Sequence, residues 1–263
     1  MPMTMKGKPD KIKKIIAFDL DETLGYFSEF GVFYDAIEQF TGTELTRVQS
    51  FKVIELFEKE IVRPKINTIL RSIMSMKKKN NIDYVMIYTN NQGGEHWTYM
   101  IKDYFEYKLG LGKIFDKIIC AYKISGRNER SCEECRTTHS KTYNDLVVNC
   151  CKLPKTTKVC FIDDRNHPYM KNNPNVYYIK VTPYIYSLTP QIFIERFLES
   201  RLSSKIRGLK RDTDFTHFVL KYFKDTSHYS YIPKTRSSLT ADHQVSTELL
   251  RLVRNFGEKN NIN

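Results

Sequence analysis

Residues 13–24 read Lys13-Lys14-Ile15-Ile16-Ala17-Phe18-Asp19-Leu20-Asp21-Glu22-Thr23-Leu24. The apolar run between the lysines and Asp19 is short and unbroken. That pattern suits a strand buried on both faces, as in a parallel sheet, better than an amphipathic helix or a half-exposed strand. Similar runs occur at 82–88, leading into Thr89-Asn90-Asn91, and at 158–162, leading into Asp163-Asp164; residues 176–181 read as a fourth strand.

Helical periodicity fills the gaps between these runs. Ile66, Ile69, Leu70 and Ile73 share a helix face, as do Trp97, Ile101, Tyr104 and Phe105, and again Tyr143, Leu146, Val147 and Cys150. Thr189-Pro190 has the form of an N-cap followed by proline at the first helical position, opening a helix over 191–202. Strands alternating with helices predict an α/β fold with a central parallel sheet flanked by helices.

Two stretches depart from the alternation. Residues 124–140 are polar and read as a surface insertion, and beyond 203 the strands stop. Residues 214–223 and 246–256 look helical, so the chain divides into a basic segment 1–12, a catalytic-type domain 13–202 and a mainly helical C-terminal extension 203–263.

The 263 residues are 41% hydrophobic and 27% charged, which excludes a collagen-like chain and a mostly disordered one. The net charge of +12 is unevenly spread. Residues 1–14 carry five lysines against Asp10, and 201–263 carry 12 basic and 6 acidic side chains, leaving the middle nearly neutral. Basic ends suit a solvated tail or an acidic partner such as nucleic acid or phosphorylated protein. No apolar run reaches the roughly 18–20 residues needed to span a bilayer. The expectation is therefore a soluble intracellular protein, cytoplasmic or nuclear, with no membrane contact and with its six cysteines reduced.

In an open parallel sheet, ligands bind at the carboxyl ends of the strands. The first strand delivers Asp19 and Asp21, the second Thr89, and the third Asp163 and Asp164; Lys141 opens a helix, where an N-terminus also favours phosphate. Singly these are weak signals. Together, four acids, a hydroxyl and an ammonium describe one site for a hard cation and a phosphate.

The set Asp19-Leu20-Asp21-Glu22-Thr23-Leu24 resembles the DxDxT motif of the haloacid dehalogenase superfamily, in particular its branch of RNA polymerase II C-terminal-domain phosphatases (the FCP/SCP or NLI-interacting-factor type). Arg63-Pro64-Lys65 resembles that branch's RPG with lysine for glycine, Lys141 with Asp145-Leu146 its K…DL, and residues 162–165 its IDDR; the likeness covers about 13–182. The resemblance implies a Rossmann-like fold with a small cap or none, and Mg²⁺ held by Asp19, Asp21, Asp163 and Asp164. It implies Asp19 as nucleophile and Asp21 as general acid and base, with Thr23 orienting Asp21 and the turn after it. Thr89, Asn90 and Lys141 would bind the phosphate. The implied substrate is a phosphorylated serine or threonine in a protein. A nucleic-acid end phosphatase, drawn to its substrate by the basic ends, and a non-catalytic binding scaffold on the same fold stand as alternatives.

Cys132, Cys135 and His139 form a C-x2-C-x3-H pattern that invites a zinc site. Only three ligands lie close in sequence, whereas closed zinc sites use four, so reduced thiols on a surface loop are the stronger reading. Cys150, Cys151 and Cys160 read as core residues.

Overall fold

A computed structural model of the chain describes residues 11–91, 95–122, 135–206, 212–226 and 231–258. Five parallel strands form one sheet: β1 (Lys14–Phe18), β2 (Tyr84–Tyr88), β3 (Lys117–Ile119), β4 (Lys158–Asp163) and β5 (Val176–Lys180), in the spatial order β3-β2-β1-β4-β5. β1 is central, and every residue from Ile15 to Phe18 is fully buried. Successive strands depart from β1 in opposite directions, β2 and β3 to one side, β4 and β5 to the other. This reversal opens a crevice at the carboxyl end of β1, the place where such sheets bind ligands.

The pleat separates two cores of unequal thickness. Ile16, Phe18, Val85, Ile87, Cys160 and Ile162 face a thick helical layer. That layer contains α1 (Ser28–Thr41), α2 (Arg47–Ile61), α3 (Ile66–Lys78), α4 (Glu95–Leu109) and α6 (Pro190–Glu199). On the opposite face, with Ile15, Ala17, Met86, Tyr88, Val159 and Phe161, the helical cover among the described residues is thinner: a π-helical segment (Asn144–Cys150) and the single turn of α5 (Pro168–Lys171). Asp19 and Asp163 continue the alternation onto this thin side.

The α1–α2 pair and the short β3 lie outside the sequence expectation. The helix α1 ends at Gly42 in the left-handed conformation (φ 64°), and α2 starts with a Thr46/Gln49 capping box. Their inner faces are aromatic: Phe33 packs against Phe57, Phe193 and Phe197, with centroids 5.7, 5.1 and 5.6 Å away. The pair is thus absorbed into the helical layer.

The C-terminal extension forms α7 (Asp212–Thr226) and α8 (Arg236–Glu258), and both are part of the same core. Phe215 of α7 sits 5.2 Å from Phe40, and Phe223 6.1 Å from Phe193. Asp242, Ser246, Leu249, Val253 and Phe256 make a buried stripe along α8. Phe256 stacks on Tyr177 of the edge strand β5, with centroids 6.2 Å apart. Its carbonyl also accepts from Lys14 Nζ at 3.2 Å.

No helix among the described residues is long and apolar enough to cross a membrane. The cysteines depart from the expectation of reduced thiols. Cys135 and Cys150 are joined in a disulfide with Cα atoms 4.9 Å apart, and Cys120 is disulfide-bonded as well. Cys151 is half-buried, and Cys160 is a buried free thiol.

Candidate active site

The carboxyl ends of β1 and β4 meet at the switch point. Asp19 N–H donates to Ile162 O (2.9 Å), which extends the ladder one residue and sets Asp19 beside Asp163. The chain then turns sharply. Glu22 adopts φ 58°, its N–H donates to Gly25 O (2.7 Å), and Leu24 N–H donates to Leu20 O (2.9 Å). Gly25 is required here, because a Cβ would collide with Ile61 O and the Phe27 ring.

Arg63 underpins that turn. Its side chain is 1% exposed, and its Nε donates to Thr23 O (2.6 Å) while Nη2 donates to Glu22 O (2.6 Å) and Thr182 O (2.8 Å). Burial lowers its pKa to about 10, which leaves it cationic at neutral pH. In the sequence Arg63 stands only as part of a motif match; the fold makes it the strut of the loop that carries Asp21. Lys65, where the resembled motif has glycine, takes φ 61°.

Lys141 enters from the thin side, just before the π-helical segment. Its ammonium is 2% exposed and donates to Asp19 Oδ1 (2.6 Å) and to Asp163 Oδ2 (2.7 Å). Asp163 Oδ1 accepts from Arg165 N–H (2.8 Å), and His167 Nε2 lies 3.2 Å from Asp163 Oδ2. Burial works to raise the Asp163 carboxyl, but His167 and Lys141 outweigh it and hold it below the usual range. Burial raises Asp19, with the Lys141 charge opposing the shift. Burial also raises Asp164, helped by the neighbouring charges of Asp163 and Glu22.

Asp21 has a different environment. Its Oδ2 accepts from Asn91 Nδ2 (2.7 Å), and burial outweighs this bond to push its pKa up to about 6. Asn91 N–H in turn donates to Thr89 Oγ1 (3.0 Å), so one asparagine links the two residues. The adjacent carboxylates Asp19 and Asp21 therefore differ in character, the first facing an ammonium and the second poised to carry a proton.

Asp19, Asp21, Thr89, Asn90, Lys141 and Asp164 line one cleft of about 120 Å³, together with Glu22, Asn91, Arg165 and His167. Oxygens of Asp19, Asp163 and Asp164 lie within 4.8 Å of one another. This all-oxygen donor set is the type that Mg²⁺ prefers, and the raised carboxyls of Asp19 and Asp164 are those that a cation would relieve.

Two sequence-derived roles change in detail. Thr23 does not turn its hydroxyl to Asp21; it directs it to Asp164 Oδ1 (3.4 Å), while its carbonyl is held by Arg63. The Asn90 side chain is engaged with the neighbouring loop: its Oδ1 accepts from Arg136 (2.7 Å) and its Nδ2 donates to His139 O (3.3 Å). The zinc pattern does not assemble among the described residues. Cys135 is oxidised to a disulfide and supplies no thiolate, the His139 ring packs edge-on against Tyr122 at 4.9 Å, and Cys132 lies outside the described residues.

Arg136 and His167 went unsingled in the sequence. Asn91 stands there only within the polar loop that follows Thr89, and Arg165 only within the IDDR-like match. Arg136 gives no local signal, because its acceptors lie on segments distant in sequence. A scan of family models, a search of curated proteins and a search of solved structures each return no match to this chain.

Proposed function

We propose that this chain is a Mg²⁺-dependent phosphatase that works through an aspartyl-phosphate and acts on phosphorylated serine or threonine in proteins, as its resemblance to the FCP/SCP branch of the haloacid dehalogenase superfamily implies. The observation that carries the reading is the pair of unlike carboxylates in one cleft: Asp19 against Lys141, and Asp21 raised to about 6.

Asp19 attacks phosphorus while Asp21 gives its proton to the departing oxygen; Asp21 then takes a proton from the water that cleaves the acyl phosphate. Two easier displacements replace one difficult one. Thr89 and Lys141 hold the non-transferring oxygens, where charge must be stabilised by fixed donors. Asp19, Asp163 and Asp164 are the residues that would hold Mg²⁺, which supplies Lewis-acid polarisation of the phosphoryl oxygens when bound. Arg63 and Thr23 keep the loop that carries Asp21 rigid.

Among the described residues the cleft is lined by strand-end loops alone, with neither α1 nor α2 contributing. A cleft with no helical cap among the described residues suits a phosphate presented on a macromolecule. The test is hydrolysis of an aryl phosphate, phosphoserine and phosphothreonine peptides, and a 3′-phosphorylated oligonucleotide, with Mg²⁺ and with EDTA. Phosphopeptide turnover that needs Mg²⁺ and vanishes in Asp19→Asn is expected. Preference for the oligonucleotide, lost steeply with salt, would move the substrate to nucleic-acid ends, and no turnover on any substrate would leave a binding scaffold.

A further inference from the structure

The loop that delivers Lys141 is tied down by Arg136, which lies in the stretch read from sequence as a surface insertion yet is 7% exposed. Its Nη1 donates to Thr89 O (3.2 Å), Asn90 Oδ1 (2.7 Å) and Cys120 O (3.1 Å), and Nη2 donates to His139 O (2.8 Å). The guanidinium lies 4.9 Å from the centre of the Tyr88 ring. These acceptors belong to the end of β2, the end of β3 and the turn two residues before Lys141. One planar fork thus joins the segment carrying Thr89 to the segment carrying Lys141.

Burying a cation is costly unless its donors are met. Here neutral carbonyl and amide oxygens meet the Nη1 and Nη2 donors, while the buried Nε has no partner among the described residues, so the gain is geometric registration of three loops, for which a rigid multi-donor guanidinium is suited. The residues on either side of Arg136 are anchored too. Cys135 is bonded to Cys150 of the π-helical segment, and Thr137 donates through N–H (3.1 Å) and Oγ1 (2.9 Å) to Asp145 Oδ1. Arg136 does not line the cleft, so it acts only through Thr89, Asn90 and the turn before Lys141.

We propose that Arg136 is a positioning residue that sets Lys141 against Thr89 across the phosphate cleft, and that the Cys135–Cys150 disulfide holds it in place. The functional half of this inference rests on the phosphatase reading; the geometric half does not.

The experiment compares the wild-type chain with Arg136→Ala, Arg136→Lys and the Cys135→Ser/Cys150→Ser double variant, by aryl phosphatase kinetics with Mg²⁺ and by amide hydrogen exchange. Misplacing reacting groups by about 1 Å costs on the order of 100-fold, so Arg136→Ala is expected to lose about that factor in kcat. Added methylguanidinium should restore part of this loss, and should restore nothing in Asp19→Asn. Exchange should quicken at 89–91 and 137–142 while β1 and β4 keep their protection. Arg136→Lys, which retains the charge but cannot reach four acceptors, should show the same exchange pattern with a smaller loss, as should the double serine variant. Unchanged exchange at 89–91 and 137–142 in all three variants overturns the proposal. So does a kcat loss that methylguanidinium leaves untouched while exchange quickens throughout the sheet, for that marks a merely structural residue. If the wild-type protein hydrolyses no phosphate, the phosphatase reading falls, and the exchange comparison still decides whether Arg136 positions the two loops.

Discussion

The ammonium of Lys141 lies 2.6 Å from Asp19 Oδ1 in a site where the lysine is 2% and the aspartate 7% exposed. Lys141 also faces Asp163, so one buried cation stands against two buried carboxylates, with Asp164 close by. Removing it takes the opposing charge from Asp19 and leaves Asp163 with His167 and the Arg165 N–H, a broken buried ion pair of the kind that costs most.

Lys141→Met is therefore expected to lower stability at pH 7 by about 3 kcal/mol, as for other broken buried pairs. In the variant Asp19 loses the charge that opposes its upward shift, so its folded pKa lies further above the unfolded value. A raised carboxyl binds its proton more tightly when folded, so the deficit should shrink as pH falls toward 5. Urea unfolding at pH 5 and pH 7 checks this; a deficit that grows at low pH contradicts it.

Asp21 must carry a proton to serve a leaving oxygen, and its pKa is raised to about 6. Turnover of alkyl phosphates should then decline as pH rises through that value, while aryl phosphates with good leaving groups should show less of this decline. Asn91 donates to the Asp21 carboxylate and so favours the charged form. Asn91→Ala is expected to raise the Asp21 pKa and move the declining limb to higher pH. Parallel pH–rate profiles measure it, and a limb displaced downward would refute the assignment.

Mg²⁺ binding to the folded chain alone should stabilise it by about 2.7 kcal/mol at a hundred times its dissociation constant. Thermal unfolding should rise with Mg²⁺ in the wild-type protein and stay level in Asp164→Asn. An equal rise in both would move the cation away from the Asp19, Asp163 and Asp164 cluster.

Lys65 occupies a left-handed backbone position (φ 61°), where residues other than glycine are strained by about 1–2 kcal/mol. Glycine relieves that strain but adds freedom to the unfolded chain, and it gives up the bond from Lys65 Nζ to Thr247 Oγ1 (2.6 Å). Lys65→Gly is expected to leave stability unchanged or improve it by up to about 1 kcal/mol. Calorimetry decides, and a loss larger than that would show the side chain to matter more than the backbone.

The central sheet was legible because β1, β2 and β4 are apolar runs that end in polar chemistry, the trace left by a parallel strand buried on both faces, and the half-buried edge strand β5 still reads as an apolar run. β3 was not, because three residues at a sheet edge carry too little pattern. The α1–α2 pair was legible too, since Phe30, Phe33, Tyr34 and Ile37 fall at i, i+3, i+4, i+7 and Val53, Ile54, Phe57 and Ile61 share a face after the Thr46/Gln49 cap, but it went unread. The strand-end acids, Thr89 and Lys141 could be named one by one. What bridges them could not: Asn91 between Asp21 and Thr89, and Arg136 between Thr89 and the turn before Lys141, exist only once distant segments are brought together. The disulfide is a further such pairing, since Cys135 and Cys150 read respectively as a surface-loop thiol and a core thiol.

The helices after 203 are equally instructive. Their positive charge suited a solvated tail or a docking segment, but Phe215, Phe223, Val253 and Phe256 place them in the main apolar core. Any role of their basic surface in recruiting substrate is superimposed on a structural one.

The central claim is that Asp19 becomes phosphorylated. Rapid acid quench of the protein with a phosphoserine peptide labelled in its phosphate, in the presence of Mg²⁺, followed by mass spectrometry of the peptide containing residues 14–24, tests it most directly. The account predicts a transient label on Asp19 that is released by hydroxylamine and is absent from Asp19→Asn. Hydrolysis that proceeds with no labelled intermediate, or that persists in Asp19→Asn, would contradict it.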